Sequence, residues 1–122
     1  MIDKKEFRLI LTNINSAKIN MAIDKALTIS YEKDDIPILR FYTWENSFTV
    51  GLGQDLEHYS DLKEIYKDNC SKRITGGGVL FHGHDISYSL ILSNSELGNL
   101  NVKQSYEKIC QFLLEFYKQL GL

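Results

Sequence analysis

The sequence predicts an α+β domain: a mainly antiparallel sheet with helices packed on one side. Three observations predict it. Short runs rich in β-branched and aromatic residues, such as FRLIL at 7–11, ILRFYT at 38–43 and SYSLIL at 87–92, read as strands. Two segments, 16–29 and 102–120, repeat their apolar residues with the helical period. The 122 residues are 43% hydrophobic and 25% charged with one proline, enough for one domain that buries its core without disulfides.

In chain order, Phe7 to Leu11 reads as the first strand. Ser16 to Ile29 follows as a helix, with Ile19, Ala22, Ile23, Ala26 and Leu27 on the face predicted to be buried. Tyr31 to Pro37 is a polar connection. Ile38 to Thr43 and Ser47 to Gly51 read as strands joined by Trp44-Glu45-Asn46, the spacing of a hairpin. Leu56 to Lys67 reads as a short surface helix with an apolar stripe at Leu62, Ile65 and Tyr66. Cys70 to Ile74 is a brief strand, and Val79 to His82 and Ser87 to Leu92 are strands around a tight His82-Gly83-His84-Asp85 bend. Val102 to Leu120 is the last helix. Asn101 is its N-cap, with Gln104 at the capping-box spacing, and Gly121 its C-cap. Tyr106, Ile109, Leu113, Phe116 or Tyr117, and Leu120 form its predicted buried face. The sequence ends at Leu122, straight after this helix. A helix of this kind normally leads back into the sheet it covers, so the expectation is a truncated or half unit.

Several classes are disfavoured. Fourteen Lys and Arg against 16 Asp and Glu argue against a general nucleic-acid-binding surface, and the Lys4–Lys5 pair is too short for a basic arm. No apolar run approaches the ~18 residues of a membrane span. The stretch Met1 to Glu6 has no apolar segment of a signal peptide. Cys70 and Cys110 form no CxxC and no zinc spacing, so they read as packed thiols in a reducing cytoplasm. His82 and His84 lack a third ligand at a usual spacing, and no protein metal site is expected. Ser87, His82 and Asp85 assemble a triad only on paper, since the sequence has no G-x-S-x-G. Gly51-Leu52-Gly53 is not a dinucleotide fingerprint, because Leu56 stands where the third glycine belongs.

The chemistry is concentrated in Lys72-Arg73-Ile74-Thr75-Gly76-Gly77-Gly78-Val79-Leu80-Phe81-His82. Three successive glycines permit positive φ and close backbone approach to a ligand. Successive N–H groups in such a turn make an anion-binding nest. Arg73 adds a planar cation suited to phosphate or carboxylate, and Thr75 a hydroxyl. A tight turn without a ligand is the alternative, and the adjoining Lys-Arg pair and His82 weigh against it.

The run from Arg73 to His82 resembles the R-x-[ST]-G-G-G-x-x-x-H signature of lipoate–protein ligases and the related octanoyl and lipoyl transferases. Asn20-Met21-Ala22-Ile23-Asp24-Lys25-Ala26-Leu27 resembles their first helix, and Arg40 to Trp44 with Val50 to Gln54 their strand–turn–strand. The resemblance covers nearly the whole chain. It implies a biotin/lipoate ligase-type α+β fold, of which residues 1–122 are the N-terminal part. It implies ATP-dependent activation of lipoate or octanoate to acyl-AMP, with Mg2+ accompanying the nucleotide. The acyl group then passes to a lysine of an acceptor, a lipoyl domain of the 2-oxoacid dehydrogenase E2 or glycine-cleavage H protein type. By the same resemblance Arg73, Gly78, Val79, Leu80 and Phe81 are nucleotide-binding, and Thr75, Gly76, Gly77 and His82 are acyl-binding. Trp44, Val50, Leu80 and Tyr88 are candidates for the apolar slot. The family's catalytic lysine, and the transferase branch's cysteine, lie beyond the last helix seen here, so no catalytic residue is assigned. His82-Gly83-His84-Asp85-Ile86-Ser87-Tyr88-Ser89 is closer to the octanoyltransferase branch, whereas Gly78 is as in ligases. Two alternatives therefore stand: octanoyl or lipoyl transfer through a cysteine thioester without ATP, and a non-catalytic subunit that needs a partner chain.

Overall fold

The computed structural model describes residues 6–95, 98 and 100–122; the expectations for Met1 to Lys5 lie outside them. In chain order the elements are β1 (Arg8–Asn15), α1 (Ala17–Ser30), β2 (Ile38–Trp44), β3 (Ser47–Val50), a 3-10 turn (Leu56–Tyr59), α2 (Ser60–Ile65), β4 (Cys70–Lys72), β5 (Leu80–His82), β6 (Ile86–Ile91) and α3 (Val102–Gln119). They form two three-stranded sheets, ordered β1-β2-β6 and β4-β3-β5.

The α+β class is as expected, but strand directions are mixed. β1–β2 and β3–β4 pair parallel, whereas β2–β6 and β3–β5 pair antiparallel. The cause is connectivity. A helix crosses over between β1 and β2, and another between β3 and β4, and such crossovers return the chain in the same direction. Nor do 38–43 and 47–51 form a hairpin. β2 and β3 belong to different sheets, as do β5 and β6, so residues 45–46 and 83–85 carry the chain from one sheet to the other. β1 also runs past Leu11, because Ile14 and Asn15 resume pairing with Thr43 and Trp44 after an irregularity.

The two faces of the first sheet meet different helices. Arg40, Tyr42 and Trp44 lie beneath α1. Tyr88 pairs with Phe41 on the other face, where Phe112 of α3 meets it edge-on at 5.3 Å. The helices thus flank this sheet rather than share one side of it.

In α1, Ser16 proves to be the N-cap rather than the first helical residue, and its hydroxyl accepts the Ile19 N–H. Its buried face is Ala17, Asn20 and Met21, with Asp24 close behind. The predicted stripe is displaced round the helix: Ile19 is 51% exposed, and Ala22 and Ala26 are exposed. The physical reason is Arg40, fully buried beneath the helix, which needs polar acceptors there. One core cluster is Ala17, Met21, Tyr42 and Trp44. The other is Phe48, Val50 and Cys70, covered by Leu56, Tyr59, Leu62, Tyr66 and Val79. Ile65, expected in that stripe, is exposed.

In α3 both halves of the Asn101–Gln104 capping box form. At the other end Gly121 takes φ +81°, Gly121 N–H bonds Lys118 O, and Leu122 N–H bonds Tyr117 O. That is a Schellman cap. The packing of α3 is looser than predicted. Ile109 and Leu113 are half-buried, whereas Tyr106, Phe116, Tyr117 and Leu120 are exposed.

Candidate functional site

The glycine-rich segment links β4 to β5 and is strapped to the end of β3. Arg73 N–H bonds Val50 O at 2.8 Å, Leu52 N–H bonds Thr75 O at 2.8 Å, and Gly51 N–H bonds Gly78 O at 3.1 Å. The approach is so close that a Cβ on Gly51 would lie 2.0 Å from Gly77 O. Only glycine fits there. Within the loop, Gly77 has φ +104°, while the space beside Gly76 and Gly78 is open.

Arg73 turns its guanidinium inward. Nη1 donates to Thr49 Oγ1 at 2.8 Å, and Nη2 to Gly76 O at 3.1 Å and Gly78 O at 2.8 Å. Partial burial lowers its pKa, but from so high an ordinary value that it stays a cation. Thr49 Oγ1 also meets His82 Nε2 at 2.8 Å, and His82 Nδ1 meets Asp85 Oδ2 at 2.7 Å. Desolvation pushes the Asp85 carboxyl up, but the hydrogen bonds from His82 and the Gly83 N–H outweigh it and hold the group below its ordinary range. With Asp85 ionised, His82 carries its proton on Nδ1 and accepts from Thr49 at Nε2, which satisfies every group.

Ser87, His82 and Asp85 do not form a triad, in keeping with the missing G-x-S-x-G. Ser87 accepts the Trp44 Nε1–H at 2.9 Å, and the hydroxyl on His82 belongs to Thr49, which is fully buried and cannot act as a nucleophile. The His82 ring lies on the Trp44 indole.

A second network underlies α1. Arg40 donates to Asp24 Oδ1 at 2.6 Å, Asn20 Oδ1 at 2.7 Å, Asn20 O at 3.1 Å and Thr12 Oγ1 at 3.1 Å. Its guanidinium carbon stands 3.7 Å from the centroid of the Tyr42 ring. Tyr42 and Ser89 hydroxyls both donate to Asp24 Oδ2. Burial pushes the Tyr42 pKa up to about 12.

Between these networks opens a cleft of about 790 Å³, reached by Met21 and Asp24 of α1, Trp44, β6, and Ile109 and Cys110 of α3. Of the predicted site residues, Arg73, Thr75, Leu80 and His82 line it. Gly76, Gly77 and Gly78 lie on the exposed loop. Val79 and Phe81 point their side chains elsewhere. Strand alternation puts Leu80 and His82 on one face of β5 and Phe81 on the other, where it lies 6.0 Å from Tyr66. Val79 packs on the second core, and Val50, expected in the apolar slot, is inside that core. Trp44, Leu80 and Tyr88 do line the cleft. Thr49, Asp24 and Cys110 were missed by sequence reasoning. Thr49 had a findable signal, since period-two alternation places it on the face opposite Phe48 and Val50.

Residues 16–122 match the model of the lipoyl protein ligase A/B catalytic domain. The octanoyltransferase LipM of Clostridioides difficile is 34% identical over 122 residues, covering 96% of this chain and 45% of its own. The crystal structure of a lipoate-protein ligase A bound with ATP is similar with a TM-score of 0.75 at 26% identity, covering 96% of this chain and 48% of that one. A bi-partite lipoate protein ligase from Thermoplasma acidophilum, studied with its E2 lipoyl domain, gives a TM-score of 0.54 at 30% identity over 73% of this chain and 36% of that one. The chain spans less than half the length of the relatives it matches.

Proposed function

Because the chain belongs to the lipoyl protein ligase A/B catalytic-domain family, we propose that it forms the N-terminal part of an enzyme that attaches an octanoyl or lipoyl group to a lysine of a lipoyl-acceptor domain. One observation carries this reading: a largely apolar cleft adjoins a glycine loop whose backbone N–H groups are free of partners among the described residues. The cleft suits a medium-length acyl chain, and the loop suits the oxygens at its head.

The first reading is the ATP-dependent one, supported by the likeness to the ATP-bound ligase. Arg73 and the backbone from Gly78 to Phe81 form the nucleotide side, with Thr75, Gly76, Gly77 and His82 on the acyl side. ATP supplies the adenylate that activates the acid, and the loop N–H groups fit its phosphate. The octanoyltransferase relatives favour a second reading, in which the acyl group arrives as a carrier thioester and no ATP is consumed. The acceptor in either case is a lipoyl domain of the E2 or H protein type. The bi-partite ligase supports a separate partner chain as part of the working enzyme.

The test incubates the full-length protein with an unmodified lipoyl domain and reads the acceptor's mass. One arm holds octanoate and ATP, the other an octanoyl-carrier thioester. Modification in the first arm alone supports the ligase, and in the second alone the transferase. No modification in either arm, with or without a partner chain, refutes the reading.

A further inference from the structure

We infer that Thr49 is a positioning residue: its buried hydroxyl holds Arg73, and Arg73 sets the direction of the two loop peptides that present N–H groups to the ligand. Thr49 is fully buried and does not line the cleft, so it touches no substrate. Its effect passes through the two side chains it bonds, the Arg73 guanidinium and the His82 ring.

The peptide geometry carries the inference. Cis peptide bonds are absent among the described residues, and in a trans peptide the C=O and N–H point in opposite directions. Gly76 O and Gly78 O are both drawn onto Arg73 Nη2. The N–H groups of Gly77 and Val79, in those same two peptides, therefore face away from the guanidinium. Among the described residues nothing accepts a hydrogen bond from them. Were Arg73 to swing out, Gly76 O would lose its partner and be free to turn, Gly78 O would be held by the Gly51 N–H alone, and a carbonyl turned toward the ligand would repel the anion that the N–H groups attract. Three of the five arginine donors are committed in this way. The cation thus acts on a ligand chiefly through the loop it arranges.

Thr49 is suited to hold it. A threonine oxygen can accept from Arg73 while its proton goes elsewhere, and with His82 in its Nδ1–H tautomer that proton goes to Nε2. Asp85 fixes the required His82 tautomer through Nδ1. Asp85, His82, Thr49 and Arg73 thus form one line of hydrogen bonds from a surface carboxylate to the glycine loop. Valine at position 49 would keep the volume and break the line at its centre.

This inference rests on the proposed function only in taking the anion to be an acyl or phosphate oxygen, so its principal readout uses no substrate. The Gly51 and Leu52 amides bond to loop carbonyls, and their hydrogen exchange reports whether the loop is held. In the full-length protein, Thr49→Val is expected to speed exchange at both amides about tenfold, with the β2 amides unchanged, and Thr49→Ser to restore protection. Arg73→Met, at a partly exposed position, is expected to reproduce the Thr49→Val effect and covers the case in which that variant unfolds globally. Wild-type protection of Gly51 and Leu52 in either folded variant would overturn the proposal. If octanoyl transfer is measurable, Thr49→Val is expected to lower kcat/KM and Thr49→Ser to recover it. A protein with no such activity leaves the exchange result standing, so the two readings fail separately.

Discussion

The imidazole of His82 lies face to face with the indole of Trp44, with ring centroids 3.7 Å apart and planes 10° from parallel. Each ring is also pinned at its edge. Trp44 donates to Ser87 of β6, while His82 is held between Thr49 of β3 and Asp85. The stack therefore joins the two sheets beside the cleft, where sequence-adjacent strands fail to pair.

Removing the histidine should loosen that joint. His82→Ala is expected to destabilise the fold by about 1–3 kcal/mol, because Thr49 and Asp85 lose their partner along with the stacking. Trp44 is the only tryptophan of the chain, so its emission should shift to longer wavelength as the indole gains water. Urea unfolding followed by fluorescence reads both, and an unshifted spectrum would contradict the stacked arrangement.

Arg40 should be among the least replaceable side chains. Arg40→Met leaves Asp24 and Asn20 without their donor in a buried site and is expected to cost about 3–5 kcal/mol. Arg40→Lys cannot reproduce four bonds made from a planar fork and should recover only part of this. Equilibrium denaturation of the two variants checks the order.

Two neighbouring glycines should differ sharply. Gly51→Ala places a methyl 2.0 Å from Gly77 O, and is expected to displace the loop at a cost of about 1–3 kcal/mol. Gly53→Ala meets nothing within 4 Å and should stay within about 0.5 kcal/mol of wild type. Thermal melts of both variants decide it.

The acid limb of stability should depend on Asp85. Its folded pKa lies below the ordinary aspartate value of 3.8. Its contribution is thus fully present above the unfolded pKa and is lost as pH falls through the folded one. The stability difference between wild type and Asp85→Asn should shrink as the pH falls below about 4. A difference that grew on acidification would reverse the assigned sign.

The two thiols should separate by reactivity. Cys70 is 3% exposed and burial pushes its thiol up, so it should resist an aromatic disulfide reagent until the protein unfolds. Cys110 is half-buried and lines the cleft. It should react in the native state, and octanoate should slow the reaction if the acyl chain occupies that cleft.

What was legible in the sequence depended on range. The α3 caps were legible because Asn101 and Gln104, or Gly121 and Lys118, are neighbours along the chain and their hydrogen bonds are local. The glycine loop was legible because its residue types are unusual. The buried face of α1 was not, since hydropathy does not mark Asn20 and Asp24 as inward-facing until Arg40 is known to lie beneath them. The separation of β2 from β3 was equally hidden. Three residues between two strands look like a hairpin turn, and only the pairing of β2 with β1 and β6 shows that they are a corner.

The polar group beneath α1 has a consequence for how the strands find their alignment. Side chains alternate along β2, so a slip of one residue would turn Arg40 away from the helix and bring Leu39 or Phe41 under Asn20 and Asp24. An aliphatic patch in that place would accept the slipped strand, since one hydrocarbon side chain resembles another. A guanidinium that must meet Asp24, two Asn20 oxygens and Thr12 together accepts one alignment of three separate segments. Arg40 thus works as a key for strand order and offset, its value lying in the misassembled chains it rejects.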